Sequence, residues 1–127
     1  MLTGSCECGA VTFTVTGPMR AVVACHCSQC RKTSGHYWAA TSVSRNAMTI
    51  TRDDGLKWFR SSKHARRGFC SGCGASLFWE DDGTGQISIG AGTLDGKTGL
   101  VCEKHIFVAD KGDYYDIPDD MQNPESH

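Results

Sequence analysis

Apolar and polar side chains alternate along much of this chain, which is the period of a half-buried β-strand rather than of a helix. The clearest case is the segment from Val11 to Val15, in which threonines separate Val11, Phe13 and Val15. Further strands are predicted at 21–24, 37–43, 48–52, 56–61, 65–69, 75–79, 86–90 and 105–108. Because no long segment has a 3.6-residue period, the pattern predicts a mainly antiparallel β domain with one or two helical turns.

Two local signals divide these strands. The polar, unbranched run after Cys27 predicts a helical turn with Ser28 as its cap and Gly35 at its end. Asp53-Asp54-Gly55 predicts a turn that joins two paired strands as a hairpin. We expect a single domain over residues 1–127, with a mobile polar tail from about residue 120.

Size and charge narrow the class of protein. The 127 residues suffice for one domain, and the net charge of −1 argues against bulk electrostatic binding to nucleic acid. No apolar run has the length of a membrane-spanning helix, and the first residues lack the basic and apolar regions of a signal peptide. We therefore expect a cytoplasmic protein without membrane or nucleic-acid partners, while the oligomeric state stays open.

Cysteine is the unusual residue type in this composition. Eight cysteines in a chain without a signal sequence indicate metal or redox chemistry rather than structural disulfides. Cys70 and Cys73 have the two-residue spacing of a zinc knuckle, and nearby glycines allow backbone N–H groups to approach the sulfurs. A thioredoxin-type redox pair is the alternative, but such a pair opens a helix, whereas the flanks here are strand-like.

Cys6 and Cys8 form a second pair that completes a four-ligand set with Cys70 and Cys73. A closed Cys₄ site of this kind is structural, because metal binding adds directly to the free energy of folding. This division leaves a separate group of three cysteines in the middle of the chain, and Cys102 alone.

Cys25, Cys27 and Cys30 are close enough in sequence to hold a second zinc and leave its fourth tetrahedral position vacant. In an extended segment the side chains alternate, so His26 is expected to point away from this metal. Water, a substrate, Cys102 or His105 could occupy the fourth position. A permanent protein ligand would make the site structural, and an exchangeable one would make it catalytic.

Three motifs together resemble a known family: Gly4-Ser5-Cys6-Glu7-Cys8-Gly9, Cys25-His26-Cys27-Ser28-Gln29-Cys30-Arg31-Lys32 and Phe69-Cys70-Ser71-Gly72-Cys73-Gly74. They are similar to the glutathione-dependent formaldehyde-activating enzyme family, whose domain is shared with centromere protein V. The similarity continues through Gly90-Ala91-Gly92-Thr93-Leu94-Asp95 and Tyr115-Asp116-Ile117-Pro118-Asp119, so it covers nearly the whole chain.

The resemblance implies a β-tent, zinc-ribbon-like fold of small antiparallel sheets around two zinc sites per chain. It assigns Cys6, Cys8, Cys70 and Cys73 to a structural zinc, and Cys25, Cys27 and Cys30 to the second zinc. The implied reaction is that of a carbon–sulfur lyase, which joins formaldehyde to the glutathione thiol as S-hydroxymethylglutathione. A zinc with only three protein ligands can be lost on isolation, after which its thiols can oxidise.

The corresponding mechanistic hypothesis is attack of a zinc-bound thiolate on a small aldehyde. The candidates for moving the proton are His26, His36, His64 and His105. The candidates for binding substrate carboxylates are Arg31, Lys32, Arg60 and Arg66, and the latter two belong to a basic cluster with Lys63 and Arg67. A solvated basic face is the alternative, and Trp38, Trp58 and Trp79 are assigned to the core.

Two other classes of function compete with this enzyme. The first is a non-catalytic zinc-binding interaction module of the centromere protein V type, which a basic tail would favour. The tail here, from Asp113 to His127, is acidic. The second is a redox-sensing thiol protein, which differs from both zinc classes in that all its thiols would titrate freely in the native state.

Overall fold

A computed structural model describes residues 1–123 and confirms a mainly β fold with one short helix. The first strands and the helix are β1 (Leu2–Ser5), β2 (Val11–Val15), β3 (Val22–Cys25), α1 (Ser28–Ser34), β4 (Trp38–Ser44) and β5 (Met48–Asp53). The remaining strands are β6 (Leu56–Arg60), β7 (Ala65–Cys70), β8 (Ser76–Asp81), β9 (Gln86–Gly90), β10 (Cys102–Ile106) and β11 (Gln122–Asn123). Within these residues, no helix is long and apolar enough to cross a membrane.

The strands form two sheets. One sheet has the order β1-β2-β5, and the other has eight strands in the order β11-β10-β3-β4-β9-β8-β7-β6. Pairing within residues 1–123 is antiparallel except that β10 runs parallel to both β3 and β11. In this register, Cys25 at the end of β3 lies between Ile106 of β10 and Trp38 of β4. The middle cysteine motif therefore begins in the interior of the large sheet.

The predicted hairpin at Asp53-Asp54-Gly55 is wrong, although the turn itself is present. Strand β5 pairs with β2 in the small sheet, and β6 pairs with β7 in the large one. The turn is therefore a crossing between sheets. Gly55 is held there by its N–H bond to the carbonyl of Ala10 and by the bond that its own carbonyl accepts from the Ser71 N–H.

The helix cap is also corrected. The N-cap of α1 is Cys27 rather than Ser28, because the Cys27 sulfur accepts the Cys30 N–H at 3.4 Å. The predicted end is confirmed: Gly35 has a φ of 85°, in the left-handed region that glycine adopts readily. A cysteine can replace serine at the cap since its sulfur, like a hydroxyl oxygen, accepts an orphan backbone N–H.

The C-terminal part differs in detail from the strand predicted at 105–108. Strand β10 ends at Ile106, because Phe107 has a φ of 54° and Val108 begins a 3-10 turn. Within the segment predicted as a mobile tail, Asp119–Met121 forms a 3-10 turn and β11 pairs with β10. The rest of that predicted tail, 124–127, lies outside the described residues.

The main core lies between the two sheets. Phe13 of β2 packs edge-on against Phe78 of β8, with ring centroids 5.1 Å apart. The other fully buried side chains of this core are Val11, Val15, Val43, Leu77, Ile87 and Ile89, together with Cys70. The alternation seen in the sequence therefore marks the inward faces of both sheets, as period-2 patterns do.

Gly4 of β1 is a position at which this packing leaves no room for a side chain. A methyl group there would lie 2.3 Å from Cζ of Phe13 and 2.8 Å from the Thr93 carbonyl oxygen. We predict that Gly4→Ala lowers the free energy of unfolding by about 1–3 kcal/mol, measured by urea denaturation. Gly92→Ala, which meets no atom within 4 Å, is the control and should change it by less than about 0.5 kcal/mol. Equal effects would contradict this account.

Candidate metal centres and active-site cavity

The two outer cysteine pairs come together as predicted. Cys6 follows β1, Cys70 ends β7, and all four sulfurs of Cys6, Cys8, Cys70 and Cys73 lie within 4.8 Å of one another. The Cys8 sulfur is 3.7 Å from the sulfur of Cys6 and 3.7 Å from that of Cys70. Tetrahedral zinc with Zn–S bonds of about 2.3 Å places its sulfurs about 3.8 Å apart, so this donor set fits the ion.

Backbone N–H groups surround these sulfurs. The Val11 N–H donates to the Cys6 sulfur at 3.3 Å. Backbone hydrogen bonds from Cys8 and Ala75 lower the pKa of the Cys73 thiol to about 6. Donors of this kind favour the thiolate, which is the form that binds a metal. These backbone donors therefore favour the thiolate at Cys6 and Cys73, two of the four ligands of a closed site.

The middle cysteines form a second cluster at the junction of β3 and α1. The sulfurs of Cys25, Cys27 and Cys30 lie within 4.8 Å of one another, and no disulfide links them. Hydrogen bonds from the thiols of Cys25 and Cys30 lower the pKa of Cys27 to about 2. One sulfur thus carries negative charge readily while its neighbours act as donors, which is a suitable starting state for binding a soft cation.

No fourth metal-binding side chain joins this second cluster within residues 1–123. Of the two distant side chains considered as fourth ligands, Cys102 is exposed, and its sulfur lies 3.9 Å from the Lys104 carbonyl oxygen. His105 instead accepts or donates a hydrogen bond at Nδ1 with His26, 2.8 Å away. The second centre therefore offers three protein ligands in the described chain, which is the arrangement that leaves a position for an exchangeable ligand.

A cavity of about 490 Å³ opens onto the three-cysteine cluster. This volume lies within the range of about 300–1,000 Å³ that is usual for small-molecule sites. Both apolar and polar side chains line it. The lining includes Val23, Trp38, Ala40, Trp79, Ile106 and Phe107, with Arg20, Arg67, Asp81, Ser42, Ser62, Thr84, Gln86 and Ser88 as polar members.

Arg67 is the charged residue of the cavity that contacts the cluster. Its Nη2 donates to the Cys30 sulfur at 3.3 Å, and its Nε donates to the Gln29 side-chain oxygen at 2.7 Å. The guanidinium also lies over the Trp38 ring, 5.6 Å from the ring centroid. Arg20 lines the same cavity and donates to the carbonyls of Ala21 and Ala40.

The four basic residues predicted to bind substrate carboxylates lie elsewhere. Arg60 pairs with Asp82 at 2.8 Å, and Arg66 pairs with Glu80 at 2.8 Å, while its guanidinium stacks over Trp58. Arg31 and Lys32 lie on α1 beside a smaller cleft of about 290 Å³, and Arg31 donates to the Asp110 carbonyl. None of these four lines the cavity at the three cysteines. The arginines that do line it are Arg67, which the sequence placed in the basic cluster but not among the four candidates, and Arg20, which no sequence signal indicated.

The three tryptophans, which the sequence assigns to the core, differ in their contact with the cavity. Trp58 packs against Phe78 in the core, as predicted. Trp38 packs against the buried cluster that contains Cys25 and Ile106 and also lines the cavity, and Trp79 lines the cavity as well. Trp38 occupies the position opposite Cys25 in the β3–β4 pair, which places an aromatic side chain next to the cysteines.

His26 lies on the opposite side of β3 from the cavity, as its position between two cysteines predicts. It is fully buried, and its Nδ1 and Nε2 are hydrogen-bonded to the Tyr115 hydroxyl and to His105 Nδ1. A neutral imidazole satisfies both bonds if Tyr115 donates and Nε2 carries the proton. Burial, reinforced by the nearby His105, lowers the pKa of His26 to about 4. This histidine is therefore a neutral structural link between β3, β10 and the C-terminal segment.

The other histidines also lie away from the cavity. His36 is exposed and hydrogen-bonded to the Tyr114 hydroxyl at 3.0 Å, and its ring lies 4.3 Å from that of Tyr37. His64 is exposed in the β6–β7 turn, where its N–H donates to the Ser62 hydroxyl. Among residues 1–123, none of the four histidines proposed for proton transfer lines the cavity at the three cysteines.

Comparison with known proteins identifies the family to which this fold and its two thiol clusters belong. A small β-rich protein with two cysteine centres is the class that the geometry defines. The family model described as "Glutathione-dependent formaldehyde-activating enzyme" matches residues 1–110. The chain belongs to the glutathione-dependent formaldehyde-activating enzyme family.

Individual relatives agree with that assignment. An uncharacterized lyase of Schizosaccharomyces pombe is 25% identical over 115 residues, covering 90% of this chain and 83% of the relative. A Halomonas elongata protein that carries the family name is 37% identical over 95 residues, covering 65% of this chain and 57% of the relative. A crystal structure of a Rhodobacter sphaeroides protein has a TM-score of 0.63 at 22% identity, covering 79% of this chain and 97% of that one, and shows that the fold is shared.

The two adjacent tyrosines allow a test of the link behind the cavity. Tyr115→Phe removes the hydroxyl partner of Nδ1 of the buried His26, so we predict a loss of about 1–3 kcal/mol in the free energy of unfolding. Tyr114→Phe removes only an exposed bond to His36 and should cost less than about 0.5 kcal/mol. Urea denaturation of the metal-loaded proteins measures both values. A loss in Tyr115→Phe no larger than that in Tyr114→Phe would argue against a structural role for His26.

Proposed function

We propose that this protein is a carbon–sulfur lyase that forms or cleaves the adduct between a glutathione-like thiol and a small aldehyde such as formaldehyde. The observation that carries the proposal is the three-cysteine cluster, which has no fourth protein ligand in the described chain and opens into a cavity of about 490 Å³. Membership of the formaldehyde-activating family and the lyase name of a relative support the same class of reaction.

Each metal centre has a separate role in this proposal. Cys6, Cys8, Cys70 and Cys73 hold a structural zinc, and Cys25, Cys27 and Cys30 hold a second zinc. When bound at the second site, zinc supplies a soft cation at which a thiol ionises and an aldehyde oxygen becomes polarised. The closed four-cysteine site therefore stabilises the fold, and the open three-cysteine site carries the reaction.

The side chains of the cavity would position the two reactants. Trp38 and Ile106 form an apolar wall next to Cys25, which limits water at the reacting sulfur. Arg20 is suited to a substrate carboxylate and Asp81 to an ammonium group, and a glutathione-like peptide carries both kinds of charge. The lining therefore suits a zwitterionic thiol better than a purely apolar one.

The chemical step is balanced without an external oxidant or reductant. The thiol sulfur attacks the carbonyl carbon, a carbon–sulfur bond forms, and the proton lost by the thiol ends on the aldehyde oxygen as a hydroxyl group. Since no histidine of the described chain lines the cavity, the proton has to move through water or through hydroxyls such as Ser42, Ser62 and Ser88. The reverse reaction cleaves the same bond and returns both reactants.

Metal content tests the division between the two centres. We predict that Cys27→Ser loses one of two zinc ions per chain and keeps its fold, whereas Cys70→Ser unfolds or becomes strongly destabilised. Cys102→Ser, which changes an exposed thiol outside both clusters, should retain both ions. Elemental analysis and circular dichroism provide the measurements. Equal losses of metal and structure in Cys27→Ser and Cys70→Ser would rule out separate roles.

Adduct formation tests the reaction itself. We predict that the zinc-loaded protein accelerates exchange between glutathione, formaldehyde and their adduct, measured by NMR against a protein-free blank, because the addition also proceeds uncatalysed. Cys27→Ser should fall to the rate of the blank, and Cys102→Ser should match the unchanged protein. Testing other thiols and aldehydes in the same assay would define the substrate. Rates equal to the blank for every pair would favour a non-catalytic zinc-binding module instead.

A further inference from the structure

Arg67 is a buried cation without a carboxylate partner. Its residue exposure is only 9%, and its guanidinium forms no ion pair with any aspartate or glutamate among residues 1–123. The adjacent Arg66 is a useful contrast, since it is half-buried and pairs with Glu80. A buried charge without a counter-ion is strongly unfavourable, so the counter-charge of Arg67 has to come from another group.

The contacts of Arg67 identify that group. Nη2 donates to the Cys30 sulfur at 3.3 Å, and Gln29 fixes the guanidinium by accepting from Nε at 2.7 Å. Gln29 is itself fixed, because its amide donates to the Ser61 carbonyl at 3.1 Å. The Trp38 ring lies on another side of the guanidinium. These contacts hold the guanidinium against the Cys30 sulfur and keep it from turning toward solvent.

We propose that Arg67 is the counter-ion of the three-cysteine metal centre and makes its vacant position selective for anionic ligands. This inference rests on the proposed function, because it requires a divalent metal at Cys25, Cys27 and Cys30. Three thiolates on a divalent cation carry a net charge of −1, which repels an incoming thiolate. The positive charge of the guanidinium brings the net formal charge of the site to zero, so a substrate thiolate enters a neutral site.

Arg67 also changes the sulfur that it contacts. An N–H bond to the Cys30 sulfur stabilises the electron pairs of that sulfur, which then gives less negative charge to the metal. Arg67 is thus a positioning and charge-balancing residue that acts through Cys30. The role belongs to Arg67 and not to Arg66, because neighbouring residues of β7 point to opposite faces of the sheet.

Cobalt provides a spectroscopic test of both effects. Co²⁺ is loaded into the unchanged protein, and the spectrum of Cys27→Ser is subtracted to isolate the second centre. We expect Arg67→Met to shift the thiolate-to-cobalt charge-transfer band to longer wavelength, because the Cys30 sulfur loses its donor. We also expect azide, an anionic probe, to bind about 10- to 100-fold more weakly, while neutral imidazole binds equally well.

Matched variants separate charge from packing. Arg66→Met, the control on the same strand, should leave the band and both affinities unchanged. Arg67→Lys keeps the charge and should recover most of the azide affinity, and Gln29→Leu should shift the band in the same direction as Arg67→Met, but less. If Arg67→Met does not fold, Gln29→Leu decides between a shifted band, which supports the proposal, and an unchanged band, which overturns it.

The outcomes that would overturn the role of Arg67 differ from the one that would overturn the proposed metal centre. If the second cobalt binds and Arg67→Met keeps both the band and the azide affinity of the unchanged protein, the role of Arg67 is overturned and the proposed function stands. Equal losses of azide and imidazole affinity would also overturn it, because they would indicate damage to the site rather than a lost charge. If the unchanged protein binds no second cobalt, the proposed metal centre itself fails.

Discussion

The contact between four sulfurs from distant parts of the chain is the constraint on which the two-sheet arrangement depends. Cys8 and Cys70 are 62 residues apart in sequence, yet their sulfurs lie 3.7 Å apart. They join the end of β1 in the small sheet to the end of β7 in the large one. Closing a loop of this length has an entropic cost, and a metal held by both ends can offset it. Gly55 has to be a glycine there, since a methyl group would lie 2.7 Å from the Cys70 sulfur.

Once the two sheets are fixed, the alternation of side chains along β3 and the residues that follow it places the cysteines and the buried His26 on opposite sides. Cys25 lies on the cavity side, and His26 lies on the other side with both ring nitrogens hydrogen-bonded. The lowered pKa of His26, about 4, keeps the ring neutral near pH 7. The ring therefore adds no positive charge there, unlike Arg67, whose guanidinium contacts the Cys30 sulfur on the cavity side. A neutral, fully bonded ring instead supports the backbone between Cys25 and Cys27.

The sequence was sufficient for features that depend on local periodicity and on spacing. Alternation located β2 and β9, the cysteine spacing divided seven thiols into two clusters, and glycine located the end of α1. The errors concern pairing over distance. Nothing local distinguishes the turn at Asp54 from a hairpin, because the alternative pairing of β5 with β2 involves residues about 40 positions earlier. Residue type alone also could not separate Trp38 from Trp58.

The choice among arginines shows why a basic cluster in sequence does not define a binding site. Arg60, Arg66 and Arg67 are close in sequence, but Arg60 pairs with Asp82 in the turn after β8 and Arg66 pairs with Glu80 of β8, and those partners neutralise them. Only Arg67 is both buried and directed at sulfur. Its charge therefore remains available to a thiolate centre, whereas the charges of the others are already balanced. The partners, and not the number of basic residues, decide which cation can act in the cavity.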